Sequence, residues 1–226
     1  MVFKNRRDAG KQLCKLLTEY QGQETVIYAI PRGGIVVAEP LANYLAAPID
    51  LLLCHKIGHP YQPEYAIAAI SESGHVIGNP REIMSIDQKW FQNEKKQQVE
   101  EIKRKRKAYL KERGPIPLQG KIAVIVDDGI ATGLTMQAGI KELRDRRPSK
   151  IIVAVPIAPK STADIIKNVV DEFIAVDVPS DESFLGAVGA YYDEFYQVED
   201  DEVIAILDLC IKEAKKYKPE GTEWSR

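Results

Sequence analysis

Five short apolar runs, rich in β-branched residues and closed by turn chemistry, constrain this chain more than any other feature: Thr25–Ile30, Ile49–Cys54, Ile122–Val126, Ile151–Val155 and a weaker one at Phe173–Val178. None alternates apolar with polar, so they read as strands buried on both faces of a sheet. Helical patterns lie between them. Ile35–Leu45 follows Gly33-Gly34, Leu134–Arg147 follows Gly133, and Ser161–Val169 opens on a candidate N-cap, Ser161. This alternation predicts an α/β fold, a doubly wound parallel sheet of about five strands with ligand sites at the carboxyl ends of the strands. Ala9–Tyr20 and Asp200–Tyr217 read as flanking helices.

The rhythm breaks between His55 and Gly120. Pro60 and Pro63 interrupt the pattern, a hairpin is expected over Tyr65–Ile77 turning through Ser73-Gly74, and a polar helix over Asp87–Arg113. The chain is thus expected to be one domain, 1–226, with an insertion or hood at about 56–120. From Lys95 to Arg113 nine basic residues face three acidic ones without a stacking platform, which fits a solvated helix face better than a nucleic-acid site. Over all 226 residues, 31 Lys and Arg against 33 Asp and Glu leave a net charge of -2, so no global field draws nucleic acid or an anionic membrane. Any anionic ligand must be captured locally. Cys14, Cys54 and Cys210 form no CxxC pair and read as small buried side chains in a reducing compartment. No apolar run approaches the ~20 residues of a membrane span, and the charged N-terminal segment does not resemble a leader, so a cytoplasmic protein is expected.

The chemistry concentrates in Val124-Ile-Val-Asp-Asp-Gly-Ile-Ala-Thr-Gly-Leu-Thr135. An apolar strand delivers two adjacent carboxylates, and a loop with two glycines then opens a helix. Backbone N–H groups at a helix N-terminus, approached closely at Gly129 and Gly133, form a cradle for a phosphate monoester, with the hydroxyls of Thr132 and Thr135 as further donors. Asp127 and Asp128 are acceptors, suited to paired ribose hydroxyls or to a Mg²⁺ carried by a polyphosphate. A phosphate cradle one loop from a diol clamp fits a 5-phosphorylated ribose.

At these residues the chain resembles the type I phosphoribosyltransferase family, whose fingerprint is an apolar strand, two acidic residues and a loop ending in Thr-Gly-x-Thr. Gly129 departs from it, since the family usually has an apolar or small residue there. The resemblance implies binding of Mg²⁺–phosphoribosyl pyrophosphate and transfer of ribose 5-phosphate to a nitrogenous acceptor, with pyrophosphate released and Mg²⁺ as cofactor. By this resemblance Gly129, Ile130, Ala131, Thr132, Gly133 and Thr135 hold the 5-phosphate, and Asp127 and Asp128 the ribose. Ala29-Ile-Pro-Arg-Gly-Gly-Ile35 occupies the place of the family's pyrophosphate loop, with Arg32, Gly33 and Gly34 as donors and a non-proline cis peptide expected. Lys56 matches the lysine that contacts pyrophosphate or the 5-phosphate. No resident metal site is expected; His55 and His59 read as ordinary loop histidines, because Gly58 and Pro60 argue against a helix aligning them.

Gln62–Glu72 stands where the family carries a mobile hood, with Glu64 and Glu72 either facing a base or metal or solvated at the strand ends. An aspartate serving the base in 6-oxopurine enzymes is replaced here by Ala131, which leans against hypoxanthine or guanine. Pro156–Pro159 and Phe184–Phe195 could wall the acceptor, with Phe184, Tyr191 and Tyr192 either stacking on it or packed in the core. The remainder, including Gly189-Ala-Tyr-Tyr-Asp-Glu-Phe195, resembles predicted bacterial phosphoribosyltransferases of unassigned acceptor. The alternatives are a non-catalytic sensor of phosphoribosyl pyrophosphate or nucleotide on the same fold and, more weakly, a phosphatase or receiver-like protein using the aspartates for Mg²⁺. The partners expected are small molecules, without membrane or nucleic acid, and the sequence leaves monomer or homodimer open.

Overall fold

The computed structural model describes residues 3–216. Five parallel strands, β1 (Thr25–Ala29), β2 (Ile49–Leu51), β6 (Ile122–Val126), β7 (Lys150–Ile157) and β8 (Glu172–Asp177), form the main sheet in the order β2-β1-β6-β7-β8. Side chains alternate between its two faces, as the pleat requires. Ile27, Ala29, Val124 and Val126 meet α1 (Arg6–Cys14), α2 (Gly33–Leu45) and α7 (Asp200–Lys216) on one face. Val26, Tyr28, Ala123 and Ile125 meet α5 (Leu134–Arg144) and α6 (Lys160–Lys167) on the other. The sheet is therefore doubly wound, and strand order reverses direction between β1 and β6. In such sheets ligands bind in the crevice outside the carboxyl ends at that reversal.

A separate antiparallel sheet is inserted between β2 and β6: β3 (Cys54–His59), β4 (Gln62–Ser71) and β5 (Val76–Gly78), followed by α3 (Pro80–Ser85) and α4 (Gln88–Leu110). The expected hairpin is the β4–β5 pair, with Gly74 at φ 85° in its turn. Ile49–Cys54 is not one strand as expected. Leu52 still donates its N–H to Ala29 O at 2.9 Å, but the chain then leaves the main sheet and Cys54 opens β3. Leu52 and Leu53 are both buried, so the apolar run continues through the break that hydropathy alone would not reveal.

Three further boundaries move. α1 starts earlier than Ala9, because the Asn5 side chain accepts from Asp8 N, and Thr18–Tyr20 form a separate 3-10 turn. α6 starts before Ser161, whose N–H and hydroxyl both donate to Asp181 Oδ1. α3 was not expected; Asn79 caps it through Arg81 N. Tyr217, the last residue of the expected C-terminal helix, lies outside the described residues.

The basic run on α4 divides. Arg104 pairs with Glu101 on the surface, and Lys111 and Arg113 pair with Asp208 of α7. Arg106 turns inward to Asp50 and Glu72. Among the described residues no helix is long and apolar enough to cross a membrane.

Candidate active site

The carboxyl ends of β1 and β6 bring the two sequence motifs into contact. Ile30 N donates to Val126 O at 2.9 Å and Gly34 N to Ile30 O at 3.1 Å, which locks the turn after β1 against the end of β6. The Pro31–Arg32 peptide is cis, as the resemblance implies. A Cβ at Gly33 would lie 1.9 Å from Asp128 Oδ2, so this close approach of loop to carboxylate requires glycine.

Asp127 and Asp128 follow β6 directly. Asp128 N donates to Asp127 Oδ1 at 2.8 Å, and Arg6 Nε donates to Asp128 Oδ2 at 2.8 Å. Burial, then the charge of Asp128, pushes the Asp127 carboxyl well above the usual carboxylate range. Burial also raises Asp128, and the Arg6 guanidinium opposes that rise. The pair is costly to keep doubly charged without hydrogen-bond donors.

The loop beyond them leads into α5. Ile130 is buried and its N–H is taken by Ile157 O at 2.9 Å, so it anchors the loop and has no donor left for a ligand. Ala131 and Thr132 are exposed; the Ala131 carbonyl accepts from Thr162 Oγ1 at 2.7 Å. Gly133, at φ 76°, is the N-cap of α5 and no side chain caps the helix. Gln137 N is the first to reach back, to Gly133 O at 2.9 Å, which leaves the N–H groups of Leu134, Thr135 and Met136 as the helix's orphan donors. α2 also starts at Arg32 without a side-chain cap, but Gly34 N is given to Ile30 O and Ile35 N to Arg32 O at 3.3 Å, so the expected donor Gly34 has no N–H left for a ligand. By contrast α1, α3 and α4 are capped by Asn5, Asn79 and Asp87.

Arg32 stands at this end of the sheet, 38% exposed, with Nη1 3.5 Å from Asp200 Oδ1 and 3.6 Å from Glu199 Oε2 at the start of α7. Lys56 is exposed on β3, and no hydrogen bond or ion pair joins it to the aspartates or to Arg32 among the described residues. His55 and His59 are strand residues of β3, not loop residues. His55 Nδ1 lies 2.9 Å from Gln98 Oε1, and burial lowers its basicity. Glu72 lines a cavity with Lys103, Glu142 and Arg146 that includes neither aspartate of the pair, and its Oε2 is 3.2 Å from Arg106 Nη1. Glu64 is exposed. Tyr191 and Tyr192 are buried against Phe3 and Ile157, and Phe184 stacks on Tyr191 with 5.6 Å between rings, which favours the core reading of these aromatics.

Arg6 carries no sequence signal, and Tyr192 and Phe195 stand in the sequence only as candidate walls of the acceptor, not as neighbours of Asp128. Arg6 comes from the polar start of α1, Phe195 lies under its guanidinium at 3.7 Å, and Tyr192 donates its hydroxyl to Asp128 O at 2.6 Å. Among the described residues no group of three or more His, Cys, Asp or Glu side chains is arranged to hold a metal ion. Asp127 and Asp128 are the oxygen acceptors at this site that a hard cation could meet. Chemically, two uncapped helix N-termini flank a pair of acceptors, an arrangement for two anionic groups separated by hydroxyls.

A family model described as "Phosphoribosyl transferase domain" matches residues 4–194. A curated relative from Mycobacterium tuberculosis (strain ATCC 25618 / H37Rv), named "Putative phosphoribosyl transferase Rv0571c", is 38% identical over 209 residues, which is 92% of this chain and 46% of the relative. The chain thus spans about half the length of the curated relatives it matches. The crystal structure of TT1426 from Thermus thermophilus superimposes with a TM-score of 0.76 at 36% identity, over 92% of this chain and 98% of that one.

Proposed function

Because this chain belongs to the phosphoribosyl transferase family, we propose that it binds phosphoribosyl pyrophosphate with Mg²⁺ and transfers ribose 5-phosphate to a nitrogenous, nucleobase-like acceptor, releasing pyrophosphate. The observation that carries this reading is the pair of uncapped helix N-termini, α2 and α5, on either side of Asp127 and Asp128 at the strand-order reversal. The α5 end, with Thr132, Gly133 and Thr135, takes the 5-phosphate. The aspartates accept from the ribose hydroxyls. The α2 end takes the pyrophosphate at Gly33, with Gly34, whose own N–H is held by Ile30 O, letting the turn pack closely on the end of β6.

Departure of pyrophosphate breaks the bond at the anomeric carbon and leaves an oxocarbenium-like centre. This chain's contribution is mainly electrostatic: fixed N–H donors and Arg32 stabilise the charge that develops on the leaving group. Arg32 reaches it by exchanging its contacts to Glu199 and Asp200 for the stronger charge of the diphosphate. Mg²⁺, when bound with the donor, neutralises further charge on that group. Residues 56–120 act as the hood of a single domain, with Lys56 on β3, an edge strand of the inserted sheet, closing on the donor and excluding water. Ala131 presents no carboxylate to a base, so a 6-oxopurine is disfavoured as acceptor.

Calorimetric titration with phosphoribosyl pyrophosphate, with and without Mg²⁺, followed by a pyrophosphate-release screen over purine, pyrimidine and other nitrogenous acceptors, tests the proposal. Binding with release on one acceptor supports it and names the substrate. Binding without release on any acceptor replaces the transferase by a sensor, and no binding removes the ligand assignment.

A further inference from the structure

We infer that Arg6 is a positioning residue for the aspartate pair, and that the segment 189–196 is the back wall that holds Arg6 in place. The inference rests on the donor site proposed above.

Arg6 has three fixed contacts. Its Nε donates to Asp128 Oδ2 at 2.8 Å, its Nη1 donates to Tyr196 O at 2.6 Å, and its guanidinium lies 3.7 Å from the centre of the Phe195 ring. The side chain is 11% exposed, and that of Asp128 17%. A cation held between a ring face, a carbonyl and a carboxylate is pre-organised, because its fork of donors is oriented before any ligand arrives. Arg6 occupies Oδ2 of Asp128.

The wall itself is built to hold these atoms. Residues 3–5 are laced to it by Phe3 N to Tyr191 O at 2.7 Å, Asp193 N to Phe3 O at 2.9 Å and Glu194 N to Lys4 O at 2.9 Å. This sets the point from which Arg6 starts. The Tyr192 hydroxyl donates to Asp128 O at 2.6 Å, so the same segment grips the aspartate from its backbone side. A Cβ at Gly189 would lie 2.8 Å from Phe195 Cδ1, so glycine lets the ring sit where it supports Arg6. The run Gly189-Ala-Tyr-Tyr-Asp-Glu-Phe195 thereby acquires a role that does not require contact with the acceptor. The groups facing the Asp128 carboxylate are Asp127 from its own loop, Gly33 from α2 and Arg6 from α1.

The test is titration of Arg6→Met, Arg6→Lys, Tyr192→Phe and Phe195→Leu with phosphoribosyl pyrophosphate and Mg²⁺, alongside their thermal midpoints. Arg6→Met should bind more than tenfold more weakly than the parent chain, and Arg6→Lys, which restores a cation beside Asp128, should recover most of that loss. Phe195→Leu and Tyr192→Phe should each weaken binding severalfold although neither side chain touches the donor, and they carry the test if Arg6→Met does not fold. Parental affinity in folded Arg6→Met, parental affinity in both wall variants, or Arg6→Lys as weak as Arg6→Met overturns the inference. A parent chain that binds no donor overturns the underlying reading as well, which separates the two failures.

Discussion

Arg106→Met isolates the ion cluster that ties the inserted sheet to the main one. The Asp50 side chain is 2% exposed and that of Arg106 12% exposed; Arg106 Nη2 lies 3.2 and 3.4 Å from the two Asp50 oxygens, while Nη1 reaches Glu72 Oε2 at 3.2 Å and Leu51 O at 3.4 Å. Removing one partner of a buried pair costs about 3–5 kcal/mol, because the other charge stays buried and uncompensated. Asp50 retains two backbone donors, Leu51 N at 2.7 Å and Ile116 N at 3.3 Å, which places the expected loss near the lower bound, about 3 kcal/mol. For a chain of this size that is a fall of roughly 6–12 °C in thermal midpoint. Urea unfolding followed by tryptophan fluorescence, paired with calorimetry, measures both. Asp50→Asn combined with Arg106→Met removes the orphaned charge and should recover a large part of the loss. A single variant within about 1 kcal/mol of the parent chain, or a double variant no better than the single, would refute the reasoning.

Converting both Asp127 and Asp128 to asparagine should weaken phosphoribosyl pyrophosphate binding more than tenfold, over ~1.4 kcal/mol, in a folded protein; equal affinity by calorimetry excludes the diol clamp. Gly129→Ala would set a Cβ 2.6 Å from Val188 Cγ1 and 2.7 Å from Ile157 Cγ2, both on stiff β-branched side chains, so a loss of about 1–3 kcal/mol is expected by denaturant titration and an unchanged midpoint counts against it. Burial raises the Glu142 carboxyl, but hydrogen bonds from Ser71 and Ser73 and the charge of Arg146 outweigh it and lower the net value. A lowered carboxylate contributes stability that is fully present above its unfolded value of about 4.3 and is lost as pH falls through its folded value. The protection factors of the Ser71–His75 amides, which correct for the intrinsic pH dependence of exchange, should therefore fall at acid pH in the parent chain and lose that dependence in Glu142→Gln.

The main sheet was legible because its strands are buried on both faces, which leaves a continuous β-branched signal in β1, β6 and β7. The inserted sheet was half legible. Ser73-Gly74 marked one turn, but β3 was hidden, since Leu52 and Leu53 carry the apolar run of β2 into it and His55, Lys56 and His59 give it no pattern. Within the site the contiguous loops were found, Tyr192 and Phe195 were marked with another role, and Arg6 was not found. Arg6 and Asp128 are 122 positions apart, and nothing in Asn5-Arg-Arg7 distinguishes the arginine that turns inward. The same holds for Arg106, which composition places among solvated charges and packing assigns to Asp50.

The distribution of helix caps bears on why this end of the sheet is the place for a ligand. Asn5, Asn79 and Asp87 satisfy the first turns of α1, α3 and α4, and Asp181 meets Ser161 N at the start of α6. A missing cap costs about 0.5–2 kcal/mol, and two are forgone at adjacent strands, α2 and α5. Between them two neighbouring carboxylates are held where burial disfavours the charge of both and the charge of Asp128 adds to that at Asp127, while Arg6 opposes it at Asp128. A chain under pressure only to fold would place acceptors at those helix ends and not two acids between them. All three deficits are relieved together when one anion meets each helix end and hydroxyl donors meet the acids. Under the proposed function, a phosphate monoester and a diphosphate joined through a diol would supply those partners in that order, whereas a lone phosphate would leave half of them unmet.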